Sequence, residues 1–154
     1  MERARQTRKN FIQLIEDLSW EDLNKRIPGF QNTIAWNFGH IVVSQQKLCY
    51  VPAGLPVNLS EEYISLFQKG TVTTRDITKE EIEDLKRLAY KLIDVMEEDI
   101  KNGLLDNYKP LQTHFGFLLT NINEAADFAA HHDGLHLGYA LAQRRAIFGL
   151  KQNN

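Results

Sequence analysis

The sequence predicts an all-α protein, a four-helix bundle with a long crossover between its second and third long helices. Three observations carry that expectation. Apolar residues recur at helical spacing along nearly the whole chain, without strand-like alternation. Helix-start signals stand at Ser19, Thr78 and Asn121. Residues 51–78 hold prolines, glycines and polar runs, a connection longer than neighbouring bundle helices need. With 154 residues, 43% of them hydrophobic and 25% charged, the chain suits one globular domain spanning 1–154.

The first helix is expected to run to about Leu18, with Phe11, Leu14, Ile15 and Leu18 on one face. Its basic residues Arg3, Arg5, Arg8 and Lys9 read as a solvated stretch. Ser19-Trp-Glu-Asp22 predicts a capped helical turn, and Pro28-Gly29 breaks the chain. Asn32 is the expected cap of a second long helix, about 33–49, that is apolar almost all round. In the crossover, Ser60 caps a short helix. Thr78-Lys-Glu-Glu81 is a capping box, and Ile82, Leu85, Ala89, Leu92 and Met96 then give a core-facing stripe that Gly103 ends. A loop with Pro110, His114 and Gly116 follows. Asn121-Ile-Asn-Glu124 opens the last helix, about 122–148, with Arg144 and Arg145 where positive charge suits the dipole.

Composition narrows the function. A net charge of −2 supplies no bulk field for nucleic acid or an anionic membrane. There is no apolar run of the roughly 18 residues a membrane span needs. The start, Met-Glu-Arg-Ala-Arg, lacks the apolar core of a signal peptide. One cysteine, Cys49, cannot form an internal disulfide. These features predict a cytoplasmic protein with neither nucleic acid nor membrane as partner.

The last helix contains "AAHHDGLHLGY", residues 129–139. His132 and His136 are four apart, so on a helix they share a face and can chelate one metal; His131 is rotated away. Two histidines hydrogen-bonded in a core show the same spacing. His40, in the apolar second helix, offers a third nitrogen. Three neutral imidazoles on Zn, Ni or Fe leave coordination positions open, as a reactive site requires. The reactive group is then metal-bound water or thiolate rather than a side chain. Gly134 and Gly138 cost about 1 kcal/mol each in a helix; their spacing would admit a closely packed helix or ligand.

His132-Asp133-Gly-Leu-His136 is near the zinc-protease pattern but has Asp for Glu and no familiar third ligand. A di-iron carboxylate bundle fails for want of paired Glu-x-x-His motifs. Asp133 is therefore expected beside the site or on the surface. Helical spacing puts Trp36 and Ser44 one turn either side of His40, and Tyr139 and Gln143 three and seven residues after His136, as candidate pocket residues, with plain packing the alternative for each. Cys49 should face away from His40, and His114, in a loop, is expected at the surface although it could reach the site.

"NTIAWNFGHIVVSQQ" (32–46) and "HDGLHLGYALAQRRAIFG" (132–149), with the long crossover and long last helix, together resemble the DinB/YfiT family of metal-binding four-helix bundles. The resemblance covers the whole chain, with specific motifs in about a fifth of it. It implies His40, His132 and His136 as metal ligands. It also implies a small cellular thiol, such as bacillithiol, mycothiol or glutathione, that the metal activates for S-transfer to an electrophile. A metal-dependent hydrolase, or a non-catalytic metal-binding or dimeric scaffold, is the alternative. Bundles of this kind can form a homodimer through an apolar helix face.

Overall fold

A computed structural model describes residues 1–152, which form α1 (Glu2–Glu16), α2 (Trp20–Leu23), α3 (Ile34–Tyr50), α4 (Glu61–Phe67), α5 (Lys79–Lys101), β1 (Leu111–Gln112), β2 (Leu118–Leu119) and α6 (Ile122–Gln152). The four long helices make the bundle. α3 packs on α5 and α6, and α1 packs on the same two, so their apolar stripes close over one core. That core is built from Phe11, Phe38, Ile41, Leu85, Leu92 and Ile147, all almost fully buried. The crossover carries α4, which packs on α3. None of the described helices is long and apolar enough to cross a membrane.

Most helix starts follow from side-chain capping. Ser19 and Ser60 accept from the third backbone amide of α2 and α4. Thr78 and Glu81 complete the predicted capping box of α5, and caps of this kind are worth about 1 kcal/mol. Two starts differ in detail. Thr33 rather than Asn32 caps α3, its Oγ1 accepting from the Trp36 amide at 3.2 Å. Asn32 instead ties down the crossover: its Oδ1 accepts from the Thr73 amide at 2.9 Å. At α6, Asn121 accepts from the Glu124 amide, but the Glu124 carboxylate reaches back to the Thr120 amide, not to Asn121.

The 104–121 connection also holds an antiparallel hairpin, with Leu111 opposite Leu119 and Gln112 opposite Leu118. Strands of two residues are too short to show alternation, so no sequence period announces them.

Three further expectations are corrected. Arg8 is not solvated: it is 0% exposed. Its Nε donates to Asp133 Oδ2 at 2.9 Å and its Nη1 to the Ala89 carbonyl at 2.7 Å. Ala4, Arg8, Phe11 and Ile15 share the buried stripe of α1, so the guanidinium is carried into the core whatever its charge. Asp133, its partner, is 1% exposed and is neither a surface nor a pocket residue. Gly134 and Gly138 admit no close neighbour, because a Cβ at either would meet nothing within 4 Å.

The glycine that does permit close approach is Gly39. A Cβ there would lie 2.5 Å from the Phe67 ring. Its absence lets α4 settle directly on α3, one residue from His40.

Candidate metal centre

α3 and α6 have the most extensive contact in the bundle, and the three predicted histidines meet across it. One ring nitrogen from each of His40, His132 and His136 lies within 4.8 Å of the other two. The ring centroids are 5.2 Å apart for His40–His132, 4.6 Å for His40–His136 and 4.5 Å for His132–His136. The i, i+4 spacing on α6 supplies the pair, and the helix packing supplies the third ring.

Two of the rings are oriented through Nδ1. His40 Nδ1 lies 2.6 Å from the Phe67 carbonyl, which can only accept, so the hydrogen is on Nδ1 and Nε2 keeps its lone pair. Gly39 makes this bond possible by letting Phe67 approach. His136 Nδ1 lies 2.7 Å from Asn37 Oδ1. The Asn37 amide is itself fixed, its Nδ2 donating to the Thr33 carbonyl at 2.8 Å and to Gln143 Oε1 at 3.2 Å. Asn37 therefore offers oxygen, and His136 too presents Nε2. Such partners hold metal-ligating histidines in one tautomer and orientation. The Trp36 ring stacks on His40 at 4.6 Å and 12°, limiting its rotation.

Buried Nδ1 of His132 has no hydrogen-bond partner among the described residues. An orphaned buried imidazole nitrogen costs free energy. The donor set, three neutral nitrogens with no carboxylate among them, fits a borderline divalent ion such as Zn, Ni or Fe.

The surroundings keep the rings neutral. Burial pushes His132 down to about 3, helped by the positive charge that His136, His40 and His131 would carry. Burial and His40 push His136 down to about 4. His40 is lowered by burial, against the bond to Phe67, which raises it. Their lone pairs are free at neutral pH.

The same shifts predict acid sensitivity of the metal-free protein. Unfolded histidines take up protons near pH 6.5, which the folded rings refuse until about pH 4 and 3. Stability is thus fully present above pH 6.5 and falls as pH drops, by up to about 1.4 kcal/mol per pH unit for each ring. Asp133, which burial pushes up to about 6 against the Arg8 charge, opposes one of them below that pH. The urea midpoint of metal-free protein is expected to fall clearly between pH 7.5 and pH 5. An unchanged midpoint would show that the rings are protonated when folded.

The cluster opens into a cavity of about 410 Å³. Apolar walls come from Leu48, Leu111, Phe115 and Phe128, and Ser44, Lys47 and His114 add polar groups. A second cavity of about 480 Å³ adjoins His40 and His136 on the side of Trp36 and Tyr139.

A family model described as DinB superfamily matches residues 3–140, nearly the whole chain. The chain belongs to the DinB superfamily. No curated relative matches it.

In this DinB chain the pocket candidates divide. Ser44 lines the first cavity, its Oγ 3.2 Å from His40 Nε2. Trp36 and Tyr139 line the second one, Tyr139 edge-on to Phe30. Gln143 lines neither. It is fully buried, donates to the Asn32 carbonyl at 2.6 Å and steadies Asn37. His131 is exposed near Phe128, outside the cluster. Cys49 faces away into a core with Tyr50, Met96 and Leu105. His114 does reach the cavity.

Sequence reasoning missed Asn37, although a polar residue three before His40 in so apolar a helix was a signal. Asn37→Ala is expected to weaken metal binding about 10- to 100-fold, the usual cost of losing such a partner. A competition titration with a chromophoric chelator measures it, and unchanged affinity would leave Asn37 a core residue only.

Proposed function

We propose that this DinB protein is a divalent-metal-dependent enzyme that activates a small thiol for S-transfer to an electrophilic small molecule. The observation that carries the proposal is a cluster of three neutral imidazoles opening into a cavity of ligand size. His40, His132 and His136 would hold the ion. When bound, it supplies positive charge that lowers the pKa of a thiol placed against it. The Phe67 carbonyl and Asn37 Oδ1 keep two ligand rings aimed. Ser44 Oγ stands where it can hydrogen-bond a bound molecule, and Leu48, Phe115 and Phe128 give its flank an apolar wall.

The thiol has to come from outside. Cys49 is 0% exposed, and burial pushes its thiol up to about 12. A thiol of such high pKa, with no access, stays protonated and is no nucleophile. A non-catalytic dimeric scaffold has one observation in its favour: Gly134, Gly138, Leu141 and Phe148 leave an exposed small and apolar stripe on α6.

The test is the rate at which an activated aryl chloride disappears in the presence of glutathione, bacillithiol or mycothiol. Metal-loaded wild type is expected to accelerate S-conjugation at least about 100-fold over the thiol alone, and His132→Ala to return it to background. Consumption of the electrophile without thiol would replace transfer by hydrolysis. Metal binding with no rate effect would leave the scaffold.

A further inference from the structure

We propose that the ligand of the cavity between Ser44 and Phe128 carries a fixed negative charge, held against Lys47 and Lys69. The chain as a whole is slightly acidic, at −2. This cavity is not: Lys47, Lys69 and four histidines line it, and no carboxylate among the described residues does.

The two lysines differ from the six basic groups that the fold pairs with acids. Arg5, Arg8, Arg75, Lys86, Arg87 and Arg144 each pair with an aspartate or glutamate. Neither Lys47 nor Lys69 has a carboxylate partner among the described residues. Lys47 is half-buried and donates from Nζ to Gln68 Oε1 at 2.8 Å, a neutral acceptor that positions the ammonium without cancelling its charge. Seven residues after His40, it sits two helical turns along the same face, roughly 10 Å further along the wall. Lys69 follows α4 and borders both cavities.

Uncompensated charge in a concave site with apolar walls concentrates its field into the cavity. A divalent ion on the histidines makes the site more positive still. A neutral ligand leaves that charge unanswered, and an anionic one answers it. The arrangement suits a small organic anion with its reactive group at the histidines, its anionic group at the lysines and its apolar part on Phe115 and Phe128.

The inference rests on small molecules reacting at the histidine cluster, but its test separates the two claims. Cobalt-loaded protein is titrated with 3-mercaptopropionate and with its neutral methyl ester, following the thiolate-to-cobalt absorption. Wild type is expected to bind the acid about fivefold to tenfold more tightly than the ester, as for partly exposed ion pairs. In Lys47→Gln/Lys69→Gln the two should bind alike, with ester affinity unchanged. Equal affinities in wild type, or a preference that survives in the double variant, would overturn the inference.

If neither thiol perturbs the cobalt spectrum, thiol activation fails while the anion site stays testable. Glutarate should then raise the unfolding temperature of wild type by about 3 °C or more at saturation and leave the double variant unmoved. Inorganic phosphate, run in parallel, tells whether a carboxylate or a phosphate is the better fit. No shift from either anion would end the proposal.

Discussion

Purified without a histidine tag, the protein is expected to carry about one equivalent of Zn, Ni or Fe, and His132→Ala to lose it. Three imidazoles within ligand distance, neutral at pH 7 and two of them locked with Nε2 presented, meet the requirements of an open divalent site. Losing one of the three ligands should weaken binding by more than the 10- to 100-fold typical of their supporting partners. Metal at about 100 times its Kd stabilises the folded state by about 2.7 kcal/mol. For a domain of this size that raises the Tm by roughly 5–10 °C. His132→Ala should fold, because it removes a ring with an orphaned nitrogen, but should show no metal-dependent rise. Elemental analysis and calorimetry decide. Wild type that takes up none of these ions on reloading would make the cluster a hydrogen-bonded core and remove the basis for catalysis.

Asp133→Ala is expected to be the most destabilising of the variants considered, by about 3–5 kcal/mol, or about 10 °C in Tm. It leaves the Arg8 guanidinium 0% exposed and without its counter-charge. The pair is under tension even when intact: Asp133 Oδ1 has no partner among the described residues, and burial holds its carboxyl up at about 6 despite Arg8. Replacing both groups by apolar ones, Arg8→Met with Asp133→Leu, should therefore recover most of the loss, since buried ion pairs are often no better than well-packed hydrophobic residues. Denaturant titration of the two single variants and the double tests this. A loss below about 1 kcal/mol for Asp133→Ala would show that the core admits water to Arg8. Because Asp133 follows His132 on α6, the same variants report whether the ion pair also steadies that ligand, through their metal affinity.

The helices and the metal-site candidates were legible because their signals are local. A threonine at the start of α5 and a glutamate three residues on form a capping box in any fold that keeps the helix. Histidines four apart on α6 share a face by helical geometry alone. The Arg8–Asp133 pair was not read, since its members are 125 residues apart and each looks like an ordinary surface charge by type. Burial of Arg8 was visible only in its position, on the stripe of Ala4, Phe11 and Ile15.

The glycines show where composition misleads. Gly134 and Gly138 have the spacing of a close-packing motif, yet face open space, while Gly39, without a motif, is the one pressed against Phe67. A small residue allows close approach but does not cause it. By itself, then, the sequence determined the helical class, the caps and which histidines could act together, because propensity and periodicity act over a few residues. Only the tertiary structure decided that His40 meets the α6 pair, that Asn37 and the Phe67 carbonyl aim two of the rings, and that Lys47 and His114 share their cavity. Those relations depend on which faces pack across the bundle and how closely. Contacts between residues distant in sequence have no local period to reveal them.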